Sequence, residues 1–158
     1  MSNCEWKTQN NQKENTEKYI YGKVIGISDG DTYHLLTKEN KTLKIRMEGI
    51  DAPEREMPFY KVSKDYLSHL IYKKEVKVLQ TGKDVYDRIL GFTYLTDETD
   101  VNLEMLKAGL AWHFKRYNSD KIYANAEKNA RAMKMGLWTD SNPVAPWEYR
   151  RKKWEHSY

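Results

Sequence analysis

The segment Lys41–Ile50 places the strongest constraint on the fold, because its apolar and charged residues alternate along the chain. The two sets take turns over six positions: Leu43, Ile45 and Met47 against Lys44, Arg46 and Glu48. Successive side chains of a β-strand point to opposite faces, so this pattern predicts a strand with one face in a core. Arg46 is then expected to project from the opposite face.

Further strands are predicted on both sides of this one. A first pair should be joined by the Ser-Asp-Gly turn at 28–30, and a second pair by a loop at Gly82. The predicted strands of these two pairs are Tyr19–Ile27 with Asp31–Thr37, and Glu75–Gln80 with Arg88–Leu95.

Three helices are expected between and after these strands. Helical spacing of apolar residues predicts the first over roughly 59–73. A short second helix is predicted with Asn102 as its cap and Gly109 at its end. The third follows an apolar stripe and ends near Gly136; the stripe comprises Tyr123, Ala126, Ala130, Met133 and Leu137.

The order of these elements indicates an α+β fold: an OB-fold, five-stranded β-barrel with three α-helices. We expect a disordered polar leader over 1–17, one domain over 18–142, and a basic, Trp-containing tail over 143–158. The basic run Arg150–Lys153 in that tail is interpreted as a solvated segment rather than a binding patch.

Composition excludes several classes of protein. A length of 158 residues fits one domain, and no apolar run approaches the length of a membrane span. The single cysteine, Cys4, excludes an internal disulfide and a cysteine-based zinc cluster, and no two histidines have metal-ligand spacing on one helix. A net charge of +4 is compatible with a nucleic-acid partner but equally with an ordinary basic protein.

Two short segments concentrate carboxylates at predicted strand ends and turns, namely 29–32 (Asp-Gly-Asp-Thr) and 46–54 (Arg-Met-Glu-Gly-Ile-Asp-Ala-Pro-Glu). Hard oxygen ligands favour calcium or magnesium over zinc or copper. Asp31 and Asp51 are the natural ligand pair, and a backbone carbonyl near Ala52 can join them.

These residues match the needs of phosphodiester cleavage. The anionic phosphate requires a cation, rigid donors for developing charge, and a group that orients or deprotonates water. Arg46, Arg88 and Glu54 can supply the last two. Each motif alone has an ordinary reading as a hairpin turn, a loop or a surface ion pair, so the hypothesis depends on their joint occurrence.

The joint pattern resembles the staphylococcal nuclease-like (thermonuclease) family. The first signature comprises Asp29-Gly30-Asp31-Thr32 and Ile50-Asp51-Ala52-Pro53-Glu54, with Arg46 at the expected distance. A second signature surrounds Arg88, in the run Asp84-Val85-Tyr86-Asp87-Arg88-Ile89-Leu90-Gly91. A third similarity comprises Val101-Asn102-Leu103, Gly109-Leu110-Ala111 and Gly136-Leu137-Trp138, so the resemblance covers roughly residues 19–140.

The resemblance implies an OB-fold nuclease that uses calcium (Ca2+) and leaves 3'-phosphate ends on single-stranded DNA and RNA. By this resemblance the metal ligands are Asp31, Asp51 and the Ala52 backbone carbonyl, the phosphate-clamping arginines are Arg46 and Arg88, and the general base or water organiser is Glu54. It also implies a phosphate contact for Tyr86 and a base-pocket position for Tyr117.

The sequence departs from the family pattern at several positions. Tyr33 replaces an aliphatic residue, which indicates a packing change, and Lys115 replaces a base-stacking tyrosine. Beside Arg88, a basic residue is replaced by Val85, so Lys83 is the nearby cation expected to contact a terminal phosphate. Asp87 is expected to compete for Arg88 as a salt-bridge partner.

A non-catalytic OB-fold module that binds nucleic acid or peptide is the alternative reading. The intact set of carboxylates, arginines and glutamate favours catalysis. We also expect a monomer that is secreted or exposed at the cell surface, since the family's bacterial members are mostly secreted. The first residues carry no apolar signal core, although Cys4 before a polar leader resembles the start of a lipid-anchored mature protein.

Overall fold

A computed structural model describes residues 18–157 of the chain. The predicted leader over 1–17 and Cys4 lie outside these residues. Five strands form a closed barrel, and two further strands of two residues each pair with one another. The strands are β1 (Lys18–Asp29), β2 (Thr32–Thr37), β3 (Thr42–Met47), β4 (Ile50–Asp51), β5 (Glu75–Lys83), β6 (Ile89–Leu95) and β7 (Trp112–His113).

The barrel closes in the order β1-β2-β3-β6-β5, with β5 pairing back onto β1. All these pairs are antiparallel except β3 with β6, which run parallel with Ile45 opposite Ile89. Ile45 and Met47 are fully buried, as the alternation in this segment predicted. The parallel pairing brings the turn before β6 beside β3, and therefore beside Arg46.

Four α-helices, rather than the predicted three, lie within residues 18–157. They are α1 (Tyr60–Ile71), α2 (Val101–Lys107), α3 (Lys121–Ala132) and α4 (Pro146–Glu155), and a 3₁₀ helix covers Gly136–Thr139. The additional helix is α4, which forms within the segment interpreted as a solvated tail. Proline favours the first turn of a helix because its missing N–H has no intrahelical partner there, and Pro146 occupies that position.

The prediction that Asn102 caps α2 was wrong. Asp100 is the N-cap, and its carboxylate accepts a hydrogen bond from the backbone N–H of Leu103. Asn102 is instead fully buried, where its amide accepts from the N–H of Thr93 and donates to the Glu48 and Gly91 carbonyls. The same amide chemistry that caps helices can satisfy buried backbone groups, so sequence alone did not separate the two roles.

Two other expectations were wrong in detail. Strand β5 continues past Gly82 through a register shift, and the turn falls at 84–88, where Asp87 adopts a positive φ of 64°. Helix α3 ends at Ala132, which leaves Met133 72% exposed instead of in the apolar stripe.

Buried residues form a barrel core and a smaller second cluster. Tyr33 lies fully in the barrel core, where its hydroxyl pairs with the Thr93 hydroxyl at 2.7 Å, so it is a packing residue. Trp112 and Trp138 pack edge to face in the second cluster, as predicted for packing residues. No helix among residues 18–157 is long and apolar enough to cross a membrane.

Candidate active site

Asp31 enters the site from the tight connection between β1 and β2. A side chain at Gly30 is excluded, because its Cβ would lie 1.9 Å from the Ser63 Oγ atom of α1. Asp31 is buried, and its two oxygens accept hydrogen bonds from the Thr32 hydroxyl and the Ala52 backbone N–H, both at 2.8 Å. Its orientation is therefore fixed before any ligand arrives.

Arg46 projects from β3 away from the barrel core, as the strand pattern predicted. Its Nη1 atom donates to the Met47 and Ile50 carbonyls. Its Nη2 atom lies 3.4 Å from an oxygen of Asp31 and 3.4 Å from an oxygen of Asp51. One guanidinium thus holds together the two carboxylates that the sequence paired.

Asp51 lies on β4, which follows a sharp turn at Gly49. That glycine has a φ of +81°, and a Cβ there would lie 2.9 Å from the side chain of Asn118, so only glycine fits without strain. Asp51 is 1% exposed. Burial, together with the nearby charge of Asp31, outweighs the arginine contacts and raises the pKa of Asp51 to about 6.

Buried carboxylates of like charge favour occupation by a cation. Burial and the charges of Asp31 and Glu54 also raise the pKa of Asp29 beside this pair. No group of three or more His, Cys, Asp or Glu side chains converges on a metal position within residues 18–157. A hard cation that keeps several waters needs fewer protein ligands, so Asp31 and Asp51 with the buried Ala52 fit calcium or magnesium better than zinc.

Arg88 approaches the same centre from the turn before β6. Its Nε atom donates to Asp84 at 2.7 Å, and its guanidinium lies 5.5 Å from the ring centre of Tyr86. Partial burial works to raise the pKa of Asp84, but hydrogen bonds from Arg88 outweigh it and lower that pKa. The expected competitor, Asp87, pairs instead with Lys83 at 2.6 Å, and its backbone φ is 64°.

An open cleft of about 600 Å³ joins these groups. It is lined by the predicted residues Asp31, Arg46, Asp51, Glu54, Tyr86, Arg88 and Tyr117. Tyr86 and Tyr117 are 76% and 62% exposed, so both rings are available to a ligand. Lys83 is not among the lining residues, and Lys115 pairs with Glu127 at 3.4 Å.

Sequence reasoning missed one wall of this cleft. Arg150, Arg151 and Trp154 of α4 line it together with the barrel residues. Arg150 donates to both oxygens of Asp51 and to Glu54, so the interpretation of the Arg150–Lys153 run as a solvated segment was wrong at Arg150. Pro146 signalled a helix start, but nothing in the sequence indicated where that helix would dock.

The cleft combines the carboxylates of Asp31 and Asp51, which can bind a cation, with the guanidinium groups of Arg46 and Arg88. Such a combination suits an anionic substrate that is bound through a cation, as in enzymes that cleave phosphodiesters. The family described as Staphylococcal nuclease homologue matches residues 44–140. The chain therefore belongs to the staphylococcal nuclease homologue family, and its class is nuclease.

Individual relatives agree with this assignment. A Haemophilus influenzae protein named "Uncharacterized endonuclease" is 47% identical over 131 residues, covering 83% of this chain and 73% of the relative. An Escherichia coli protein of the same name is 39% identical, covering 85% of this chain and 87% of the relative. The Micrococcal nuclease of Shigella flexneri is 35% identical, covering 82% and 80% respectively.

Proposed function

We propose that the protein hydrolyses phosphodiester bonds in single-stranded DNA and RNA, with calcium as cofactor, and leaves 3'-phosphate ends. The observation that carries this proposal is the shared position of Asp31 and Asp51 around one Arg46 guanidinium, in a cleft that Arg88 also lines. The names of the relatives support the nuclease chemistry. The resemblance set out from the sequence motivates the choice of metal and product.

Asp31, Asp51 and the backbone carbonyl of Ala52 would hold the calcium ion. When bound, calcium neutralises phosphate charge and polarises the phosphorus centre. Arg46 and Arg88 present planar donor forks, which suit the equatorial phosphate oxygens whose charge grows during attack. Arg46 is already fixed by two backbone carbonyls, so little reorganisation is needed at that side.

Glu54 is proposed to orient or deprotonate the attacking water. Its side chain is 37% exposed and lies at the rim of the cleft, where water can reach it. Exposed Tyr86 and Tyr117 offer rings to an unstacked nucleotide, which a single strand supplies more readily than a duplex.

The direct test is cleavage of denatured DNA by the purified protein with calcium, then with excess EDTA. We expect cleavage that EDTA abolishes and added calcium restores, with an unchanged circular dichroism spectrum because the barrel core does not depend on the ion. Asp31→Asn should abolish cleavage in calcium, whereas Asp65→Asn, an exposed carboxylate on α1, should retain it. Full activity in EDTA contradicts the proposed metal dependence.

Substrate form and product ends are tested in the same assay. Denatured DNA should be cut faster than duplex, and rising salt should slow cleavage because phosphate contacts release counterions. The products should resist extension by terminal transferase until a phosphatase removes their 3'-phosphates. Equal rates on both DNA forms, or directly extendable ends, contradict these parts of the proposal. A secreted or cell-surface location stays a prediction.

A further inference from the structure

Helix α4 is attached firmly beside the cleft. The Trp147 ring stacks on Phe114, with ring centres 5.4 Å apart and planes 10° from parallel, and it meets Trp112 edge to face. Ala145 and Pro146 are buried at the start of the helix. Because the first turn is held by packing, helix geometry fixes where the next turn places its side chains.

The next turn delivers Arg150 into the acidic centre. Its Nη2 atom lies 2.7 Å from one oxygen of Asp51, and its Nη1 atom lies 3.1 Å from the other oxygen and 2.7 Å from Glu54. Neighbouring residues fasten the helix to the same loop, since the Tyr149 hydroxyl and the Lys153 ammonium both contact Glu56. Arg150 therefore bridges the proposed metal ligand and the proposed water organiser.

A cation and Arg150 cannot both use Asp51 in this way. Arg150 donates to both carboxylate oxygens of Asp51, and Arg46 also lies 3.4 Å from one of them, so a bound cation must compete with Arg150 for the same acceptor atoms. A cation at Asp51 would also repel the guanidinium. Arg150 then needs another anion within reach of α4, and the substrate phosphate is the anion that enters this cleft.

We propose that Arg150 is a third phosphate-binding arginine of the active site, held on Asp51 and Glu54 while the cleft is empty and transferred to the substrate when the cation binds. This inference rests on the proposed function. Arginine matches the transfer, because its planar fork binds carboxylate and phosphate with the same two-donor geometry. Arg151 and the 68% exposed Trp154 extend the same wall of the cleft, where a nucleotide strand can continue along the helix.

Calcium affinity without nucleic acid tests the first half of the proposal. Arg150→Gln removes the charge and leaves a shorter polar side chain, and Lys152→Ala removes a charge from an exposed position of the same helix. Isothermal titration calorimetry should show calcium bound roughly tenfold more tightly by Arg150→Gln, because a charge-assisted competitor is gone. Lys152→Ala should stay within about twofold of the unmodified protein. Unchanged affinity in Arg150→Gln overturns the competition.

Steady-state cleavage of denatured DNA at saturating calcium tests the second half. Arg150→Gln should raise KM roughly tenfold with a smaller change in kcat, because a ground-state phosphate contact is lost. Arg150→Ala should behave alike, and thermal melting shows whether each variant is folded. An unchanged KM, with tightened calcium binding, identifies Arg150 as an internal counter-ion only and overturns the substrate role. An unmodified protein that neither binds calcium nor cleaves refutes the proposed function, and this inference with it.

Discussion

The two sides of the cleft differ in how their charged groups are held. On the barrel side, Asp31, Arg46 and Asp51 are nearly buried and are fixed by backbone hydrogen bonds or by one another. At the turn before β6, by contrast, Tyr86 is exposed and Arg88 has a side-chain partner of its own in Asp84.

This difference separates two tasks of a nuclease site. A charge centre works best when it is preorganised, since reorienting dipoles during the reaction costs free energy. Side chains that contact a nucleotide chain of variable sequence can lie on a turn, where they are free to change conformation. We therefore expect substitutions on the barrel side to affect stability and rate together, and those on the turn to affect rate or substrate binding with little effect on folding.

Replacing each arginine gives the largest expected effect and the sharpest test of this contrast. Arg46→Ala and Arg88→Ala should each lower kcat by about two to three powers of ten, because each removes a donor to the developing charge. Only Arg46→Ala should also reduce the free energy of unfolding appreciably, by about 2–3 kcal/mol, since it removes a donor that two backbone carbonyls and two buried carboxylates share. Arg88→Ala should cost about 1 kcal/mol or less.

The measurements are kcat on single-stranded DNA in saturating calcium and urea unfolding in EDTA. Arg→Lys at either position should not restore the rate, because an ammonium lacks the planar fork. Equal losses of stability for the two alanine variants refute the contrast between the sides. A folded alanine variant with the original kcat removes that arginine from the proposed mechanism.

The pH dependence of calcium binding tests the buried side alone. Asp51 must be ionised to bind a cation, and its pKa is raised to about 6. Calcium affinity measured by calorimetry should therefore be steady above pH 7 and fall by about tenfold per pH unit below pH 6. An affinity that stays constant down to pH 5 is incompatible with a buried, titrating ligand.

The same raised pKa predicts an effect on stability in the absence of metal. The folded state favours the protonated form of Asp51. This preference adds to the free energy of unfolding below the ordinary pKa of 3.8, and the added stability is lost as pH rises through about 6. Asp51→Asn removes the cost of burying an ionised carboxylate, so we expect this variant to melt at a higher temperature than the unmodified protein in EDTA at pH 8. Asp84→Asn is the control on the turn side, where the lowered pKa predicts destabilisation.

Removing a tyrosine from the cleft should have a smaller effect, confined to binding. Tyr86→Ala and Tyr117→Ala should each raise KM by about tenfold, within the range for loss of one base-stacking ring, while kcat and melting temperature change little. Tyr72 is also exposed but does not line the cleft, so Tyr72→Ala serves as the matched control. A kcat loss comparable to that of the arginine variants contradicts a purely binding role.

The smallest expected effect concerns Lys83. Its pairing with Asp87, at an exposed position outside the cleft lining, predicts less than about a twofold rise of KM in Lys83→Ala at physiological salt. Asp87→Ala removes the partner of the Lys83 ammonium, which can then attract the substrate phosphate, so KM should fall slightly at low salt. A tenfold rise of KM in Lys83→Ala would support the contact with a terminal phosphate that the sequence suggested.

The sequence determined the barrel and its acidic centre because local patterns carry that information. Alternation in Lys41–Ile50 fixed the buried face of β3 and hence the outward direction of Arg46. The Asp-Gly-Asp turn and the segment around Asp51 are each positioned by the strands they join, so their convergence follows from pairing β2 with β3. Asn102 shows where local information failed, since its cap-like chemistry serves a buried network between distant segments.

Only the tertiary structure decided the role of α4 and the pairing within the 84–88 turn. The interaction of Arg150 with Asp51 spans 99 residues, and no local pattern encodes which surface a short basic helix will cover. The helix docks through the Trp147 ring, which stacks on Phe114, and no sequence pattern marks these two aromatic residues as partners. In the turn before β6, Lys83 pairs with Asp87 and Arg88 with Asp84, each partner four residues away, whereas the sequence had suggested a pair between the adjacent Asp87 and Arg88.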